Sequence, residues 1–123
     1  GGAASSVAAS SEAAESEAAA ASVVSTEDLD VNGTTYSADC YGEFTLSNGD
    51  TMKLWKVKDA YADLSALPMK GMVEEFPIEA EAEQIYVADV TSNGETTRQY
   101  LRTDKAGRNG TVSVKTFELG DAE

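Results

Sequence analysis

The stretch CYGEFTLSNGDTMKLWKV, residues 40–57, decides how this chain reads. Asn48-Gly49 lies between two runs of β-type residues. Asn-Gly in that setting is the strongest short-range hairpin signal, because a type I′ turn needs positive φ at both central positions. With Asn48 and Gly49 central, Leu46 stands opposite Thr51, Phe44 opposite Lys53, Gly42 opposite Trp55 and Cys40 opposite Val57. One face then collects Cys40, Phe44, Leu46, Trp55 and Val57, a coherent core face. The other carries Tyr41, Glu43, Thr45, Met52, Leu54 and Lys56; it is mixed, and Met52 and Leu54 leave room for a covering segment.

The same dipeptide recurs at Asn32-Gly33, Asn93-Gly94 and Asn109-Gly110. Around Asn93-Gly94 the register sets Asp89 opposite Arg98, Val87 opposite Tyr100 and Tyr86 opposite Leu101. A further hairpin is expected between Gln99–Arg102 and Thr111–Phe117, with Asp104–Gly110 as a polar, mobile loop. Such turns predict an antiparallel meander. Apolar residues on both faces of the hairpin at residues 40–57 predict that it forms a small barrel or sandwich.

Two segments interrupt the strands. Ala60, Tyr61, Leu64 and Leu67 recur at helical spacing behind the acidic Asp59, which predicts one short helix over Asp59–Leu67, ended by Pro68. Ile78–Ala88 fits either state. It alternates Ile78, Ala80 and Ala82 with Glu79, Glu81 and Glu83 and runs into the β-branched Ile85–Val90. A long strand, bent or bulged near Gln84, is the expectation.

The first 27 residues are a different material. Up to Thr26 the chain is nearly all Ala, Ser, Glu and Val, with no aromatic and no basic residue. Ala and Glu favour helix, but Ser5, Ser6, Ser10, Ser11, Ser16 and Ser22 oppose it, and large apolar side chains for docking are absent. Residues 1–27 are expected to be a disordered tether with transient helix near Glu12–Ala21, and residues 28–123 one mainly β domain.

Composition excludes several classes. Net charge is −13, of which Glu12, Glu15, Glu17, Glu27 and Asp28 carry −5 and the chain beyond Asp28 carries −8. Such a chain repels phosphate backbones and anionic lipid surfaces, so no nucleic-acid partner and no peripheral membrane binding are expected. Histidine is absent and Cys40 is the one cysteine. Ser-His and Cys-His catalytic pairs, cysteine-based zinc sites and an internal disulfide framework are thereby excluded. Cys40 lies on the apolar face of its strand and reads as a small hydrophobe. The start has neither a basic nor an apolar leader region, and the expectation is that the chain begins after such a segment was removed.

Site candidates are few. Exposed aromatic residues on a sheet can hold glycans or peptides, which singles out Tyr36, Tyr41 and Tyr100; Trp55 reads as core. Lys105 and Arg108 in the polar loop complete the candidate binding set. Glu74, Glu75, Glu79, Glu81 and Glu83 form the densest charge run. Glu79, Glu81 and Glu83 are the alternative, a metal site, but a row along a strand does not converge on a hard cation as a loop does. With 22 acidic residues some carboxylate pair always exists, so a hydrolase of that type stays open without a residue assignment. Asn32-Gly33-Thr34 and Asn109-Gly110-Thr111 match the glycosylation pattern but read as turns.

Gly1-Gly2-Ala3-Ala4-Ser5-Ser6 through Thr26, set ahead of a compact domain, resembles the layout of mature surface lipoproteins of Gram-positive bacteria. In those proteins a lipid-bearing Cys is followed by Gly, Ser, Ala and acidic residues. The resemblance implies an extracytoplasmic, cell-surface or secreted location and membrane attachment only through an anchor outside this chain. The expected function is a non-enzymatic binding or accessory domain, monomeric and without cofactor, for an extracellular glycan, peptide or protein. A carboxylate-dependent hydrolase and a structural spacer are the alternatives.

Overall fold

The computed structural model describes residues 22–119. Of the leader expected to be disordered over residues 1–27, residues 1–21, with the transient helix near Glu12–Ala21, lie outside them. Seven strands form one antiparallel sheet among the described residues: β1 (Ser25–Val31), β2 (Thr34–Thr45), β3 (Thr51–Val57), β4 (Met69–Met72), β5 (Ile85–Ser92), β6 (Glu95–Thr103) and β7 (Val114–Phe117). A single helical turn, α1 (Tyr61–Leu64), follows β3. The first strand starts at Ser25, so Ser25–Glu27 belong to the sheet rather than to the leader.

Tight turns build most of the ladder. Asn32 and Gly33 have φ of +55° and +87°, and Asn93 and Gly94 have +54° and +80°, as type I′ turns require. Asp89 faces Arg98, Val87 faces Tyr100 and Tyr86 faces Leu101, as expected. β7 lies beside β6, with Arg102 opposite Lys115.

The hairpin at residues 40–57 departs from its expected register. Only Gly49 of its turn has positive φ (+94°), and the loop runs from Leu46 to Asp50, setting Thr45 opposite Thr51 and Phe44 opposite Met52. A bulge then intervenes between Cys40 and Glu43, where Gly42 adopts φ +86°, and Cys40 comes opposite Trp55. An extra residue on one strand reverses which side its neighbours face. Cys40, Trp55 and Val57 share a face as expected, but Phe44 and Leu46 pack on the opposite side.

The sheet order β1-β2-β3-β5-β6-β7-β4 is a meander broken once. After α1 the chain crosses to β7 and adds β4 at the far edge, with Met69 opposite Phe117 and Met72 opposite Lys115. It then returns over one face to start β5 beside β3. The sheet does not close: β1 and β4 are its edges.

Each face has its own core. One gathers Leu29, Val31, Tyr36, Ala38, Cys40, Trp55, Val57, Ile85, Val87 and Phe117 with Ala60 at the start of α1 and Leu64 within it. Strands from both ends of the sheet meet there, so the sheet curls around this cluster. The other holds Met52, Leu54, Tyr86, Ala88, Leu101 and Val114, covered by Val73, Phe76, Ile78 and Ala80. That returning segment is the cover Met52 and Leu54 needed.

Two further expectations are corrected. α1 spans four residues, not nine, and Asp59 does not cap it: Asp59 has φ +59°, and Ala60 holds the N-cap position without a side-chain bond. The guanidinium of Arg102 donates to the carbonyls of Leu64, Ser65 and Leu67, groups at the end of the turn that have no partner within it. Ile78–Gln84 is not a strand; β5 begins at Ile85, and Glu83 takes φ +57°. Two backbone bonds, from the Thr103 N–H to the Gln84 carbonyl and from the Glu83 N–H to the Asp104 carbonyl, end the ladder there, and side chains hold the rest. The Thr103 hydroxyl donates to the Glu81 carbonyl at 2.6 Å and accepts the Gln84 N–H at 2.9 Å, while the Glu81 N–H donates to the Tyr86 hydroxyl at 3.0 Å.

Candidate binding site

β6 is only half flanked. Its pairing with β5 runs from Glu95 to Arg102, but its pairing with β7 covers only Leu101–Thr103. Glu95 and Ser92 close a two-residue turn, so the bonds toward β5 fall on Glu95, Thr97 and Gln99. By the alternation of an antiparallel ladder, the backbone groups of Thr96 and Arg98 point the other way, where no described strand lies. A cavity of about 400 Å³ occupies this notch, lined by Lys70, Thr97–Tyr100 and Thr116–Leu119. The half-buried Tyr100 ring stands 6.3 Å from that of Phe117 and supplies its apolar wall. Lys70 and Glu118 form an exposed 3.8 Å ion pair at its rim.

A second cavity of about 410 Å³ opens on the other face. Leu46, Met52, Val73 and Val90 line it, with Met72, 64% exposed, at its margin. Glu75 closes one side by accepting the Ser47 hydroxyl at 2.8 Å and its N–H at 3.1 Å. A third pocket, polar and about 250 Å³, is lined by Asp104, Lys105, Gly107, Thr111, Ser113 and Lys115.

The candidate residues are dispersed among these places. Tyr100 lines the notch and Lys105 the polar pocket. Arg108 is exposed in the same loop as Lys105 but outside the pocket lining. Tyr41 is half-buried against the cluster around Leu54. Tyr36 is buried at 8% exposure, and its hydroxyl donates to Asp63 at 2.8 Å. Burial, then the Asp63 carboxylate, raises its pKa. Glu79, Glu81 and Glu83 lie on the irregular segment, and the Glu81 carboxylate sits 3.2 Å from Lys56 Nζ. No group of three or more Cys, Asp or Glu residues is arranged to hold a metal ion among the described residues.

Charge is ordered across the face that bears Trp55. Glu43, Lys53, Asp89 and Arg98 stand in one cross-strand row of alternating sign. Arg98 forms a bidentate pair with Asp89, at 2.7 and 2.8 Å. Lys53 and Arg98 each approach the Trp55 ring to 5.1 Å, while the Trp55 indole nitrogen is buried without a partner. Lys70, Phe117 and Leu119 of the notch were not singled out as site residues from the sequence. Phe117 and Leu119 reach Tyr100 through the pairing of β7 with β6, but Lys70 arrives only because β4 crosses to β7, and no local pattern announces that crossing.

No protein-family model, no curated protein and no solved structure matches this chain.

Proposed function

We propose that this is a non-enzymatic binding domain, carried outside the cell on its Ala/Ser-rich leader, that takes an extended peptide segment into the vacant position beside β6. One observation carries the reading: the backbone of Thr96 and Arg98 faces a notch instead of a strand. An added strand would satisfy those groups, and main-chain bonding of this kind supplies affinity without demanding a fixed sequence. Tyr100, Phe117 and Leu119 offer apolar contact to alternate side chains of such a peptide.

The test is a screen of extended peptides, glycans and peptidoglycan fragments against the full chain, followed by amide chemical shifts. Saturable shifts confined to Thr96–Tyr100 and Phe117–Leu119 are expected for peptides. Thr96→Pro removes an outward N–H that the β5 ladder does not use, and should abolish them while the fold persists. Shifts centred elsewhere overturn the edge reading, glycan turnover in the same samples supports the hydrolase, and silence from every compound supports the spacer.

A further inference from the structure

We infer that the pocket between Asp104 and Lys115 is a binding site for a tetrahedral oxyanion, a phosphate or sulfate group. It lies beyond the opposite end of β6 from the notch and does not depend on the edge reading.

The distribution of positive charge carries the inference. The chain has 22 acidic residues against 9 basic ones, so a basic side chain meets acidic surface almost everywhere. Five of the nine are paired with carboxylates: Lys56 with Glu81, Lys58 with Asp39, Lys70 with Glu118, Arg98 with Asp89 and Arg102 with Asp104. Lys53 lies on the Trp55 ring. The remaining three are Lys105, Arg108 and Lys115, and none has a carboxylate within ion-pair distance among the described residues. All three fall on one loop and the strand that follows it. Acidic neutralisation, general over this surface, is withheld at one place.

That place is concave and supplied with donors. Lys105 and Lys115 line the 250 Å³ pocket together with Thr111, Ser113 and Gly107. Two ammonium groups and two hydroxyls suit an anion with several acceptor oxygens better than a single carboxylate. The one carboxylate in the lining is Asp104, and it is already engaged. It accepts the Tyr61 hydroxyl at 2.8 Å and lies 3.2 Å from Arg102 Nε. Arg102 balances its charge at contact distance, and Lys115 acts on it only from beyond ion-pair distance. Glu83 adjoins the pocket through its backbone, its N–H donating to the Asp104 carbonyl at 3.3 Å, and its exposed side chain makes no bond to either lysine.

The loop is also braced. Gly107 N–H donates to the Thr111 carbonyl at 2.8 Å and Gly110 N–H to the Gly107 carbonyl at 2.9 Å. Gly110 takes φ +82°, and the Asn109 side chain accepts the Thr111 N–H at 3.0 Å. The polar lining is held open by these bonds, which reduces the ordering cost of capture.

The test uses the full chain, isotope-labelled, at constant ionic strength. Inorganic phosphate, sulfate and a phosphorylated monosaccharide are titrated separately, with chloride as control. Saturable shifts at Gly107, Thr111 and Ser113 are expected. Tighter binding of the sugar phosphate than of inorganic phosphate would assign the group to a carried ligand, and the reverse to the free ion. Lys105→Gln and Lys115→Gln should each weaken binding about tenfold, the loss of one charge-assisted contact, while Lys58→Gln changes nothing. Linear, non-saturating shifts, or equal affinity in the two pocket variants and the wild type, would overturn the site. The substituted lysines lie on the surface, so matching amide spectra outside the loop certify the fold in each variant.

Discussion

The Tyr61 hydroxyl and the Asp104 carboxylate meet at 2.8 Å, tying the single helical turn to the end of β6. Arg102, only 7% exposed, joins them by placing Nε 3.2 Å from the same carboxylate. Burial alone would raise the Asp104 pKa, but the Tyr61 hydroxyl and the Arg102 charge outweigh it and hold it below the usual 3.8. The folded state therefore favours the charged form. This stability is complete above the ordinary carboxylate value and is lost as pH falls from about 3.8 through the lower folded value. Asp104→Asn should cost about 1–2 kcal/mol at neutral pH, less than a fully buried pair because the Asp104 side chain is 41% exposed. Urea midpoints measured from pH 5 to pH 2.5 check it: the gap between wild type and variant should narrow toward the acid end.

Tyr86 predicts the alkaline limb. It is fully buried, edge-on to Phe76 at 4.9 Å, and burial pushes its pKa up to about 12 although the N–H of Glu81 pulls the other way. The neutral form is favoured by the fold, so this contribution is complete below pH 10 and disappears as pH rises through about 12. In an ultraviolet titration one of the five tyrosines should ionise last, together with unfolding. Tyr86→Phe should remove that final step and cost about 1 kcal/mol through the unpaired Glu81 N–H. A tyrosinate signal complete by pH 11 with the fold intact contradicts the assignment.

Gly42 sets the bulge. A Cβ built there meets only the Val24 methyl groups at 3.8 Å, which is ordinary contact. The expense of Gly42→Ala is then conformational, about 1–2 kcal/mol for an L-residue at φ +86°. Chemical denaturation measures the loss. Cross-strand contacts from Cys40 to Trp55 should survive; their replacement by contacts from Cys40 to Lys56, the partner that the Thr45–Thr51 register gives without an extra residue, would mean the bulge had been expelled.

Leu54 tests the second core. It is completely buried beneath the segment carrying Phe76 and Ile78. Leu54→Ala should cost about 2–5 kcal/mol by transfer and cavity terms. A loss under about 1 kcal/mol would mean that this segment leaves the sheet readily and the cluster is not a core.

Asp89 and Arg98 offer a contrasting case. That Asp89 stands opposite Arg98 was legible from turn spacing, and their side chains pair in two bonds, yet Arg98 is 38% exposed. A double-mutant cycle to alanine should return only about 0–1 kcal/mol of coupling.

Turn chemistry and alternation are local, and the chain displayed them openly. Asn-Gly pairs need a backbone that few other residues adopt, so Asn32-Gly33 and Asn93-Gly94 announced their hairpins, and the register across the latter followed by counting. The paired hairpin of β6 and β7 and the buried Trp55 were equally readable. The misread elements are those where a distant group overrides a local rule. Ile78–Gln84 alternates like a strand, but Thr103 and Tyr86 bond its backbone through their side chains. The Asp59–Leu67 pattern is helical, but Asp59 takes φ +59° and the chain leaves the helix after Leu64, where the distant Arg102 donates to its carbonyls. Tyr36 looked accessible on a mixed strand, whereas the curl of the sheet turns it inward against Leu29.

Residue order, then, was enough to specify a β domain with antiparallel pairing, because those properties depend on neighbours within a few positions. Where the notch beside β6 lies, which lysines share a pocket and which face Phe44 joins required the folded chain. Each depends on groups far apart along it, brought together by the crossing of β4, by one glycine-centred bulge and by buried side chains whose partners are tens of residues away.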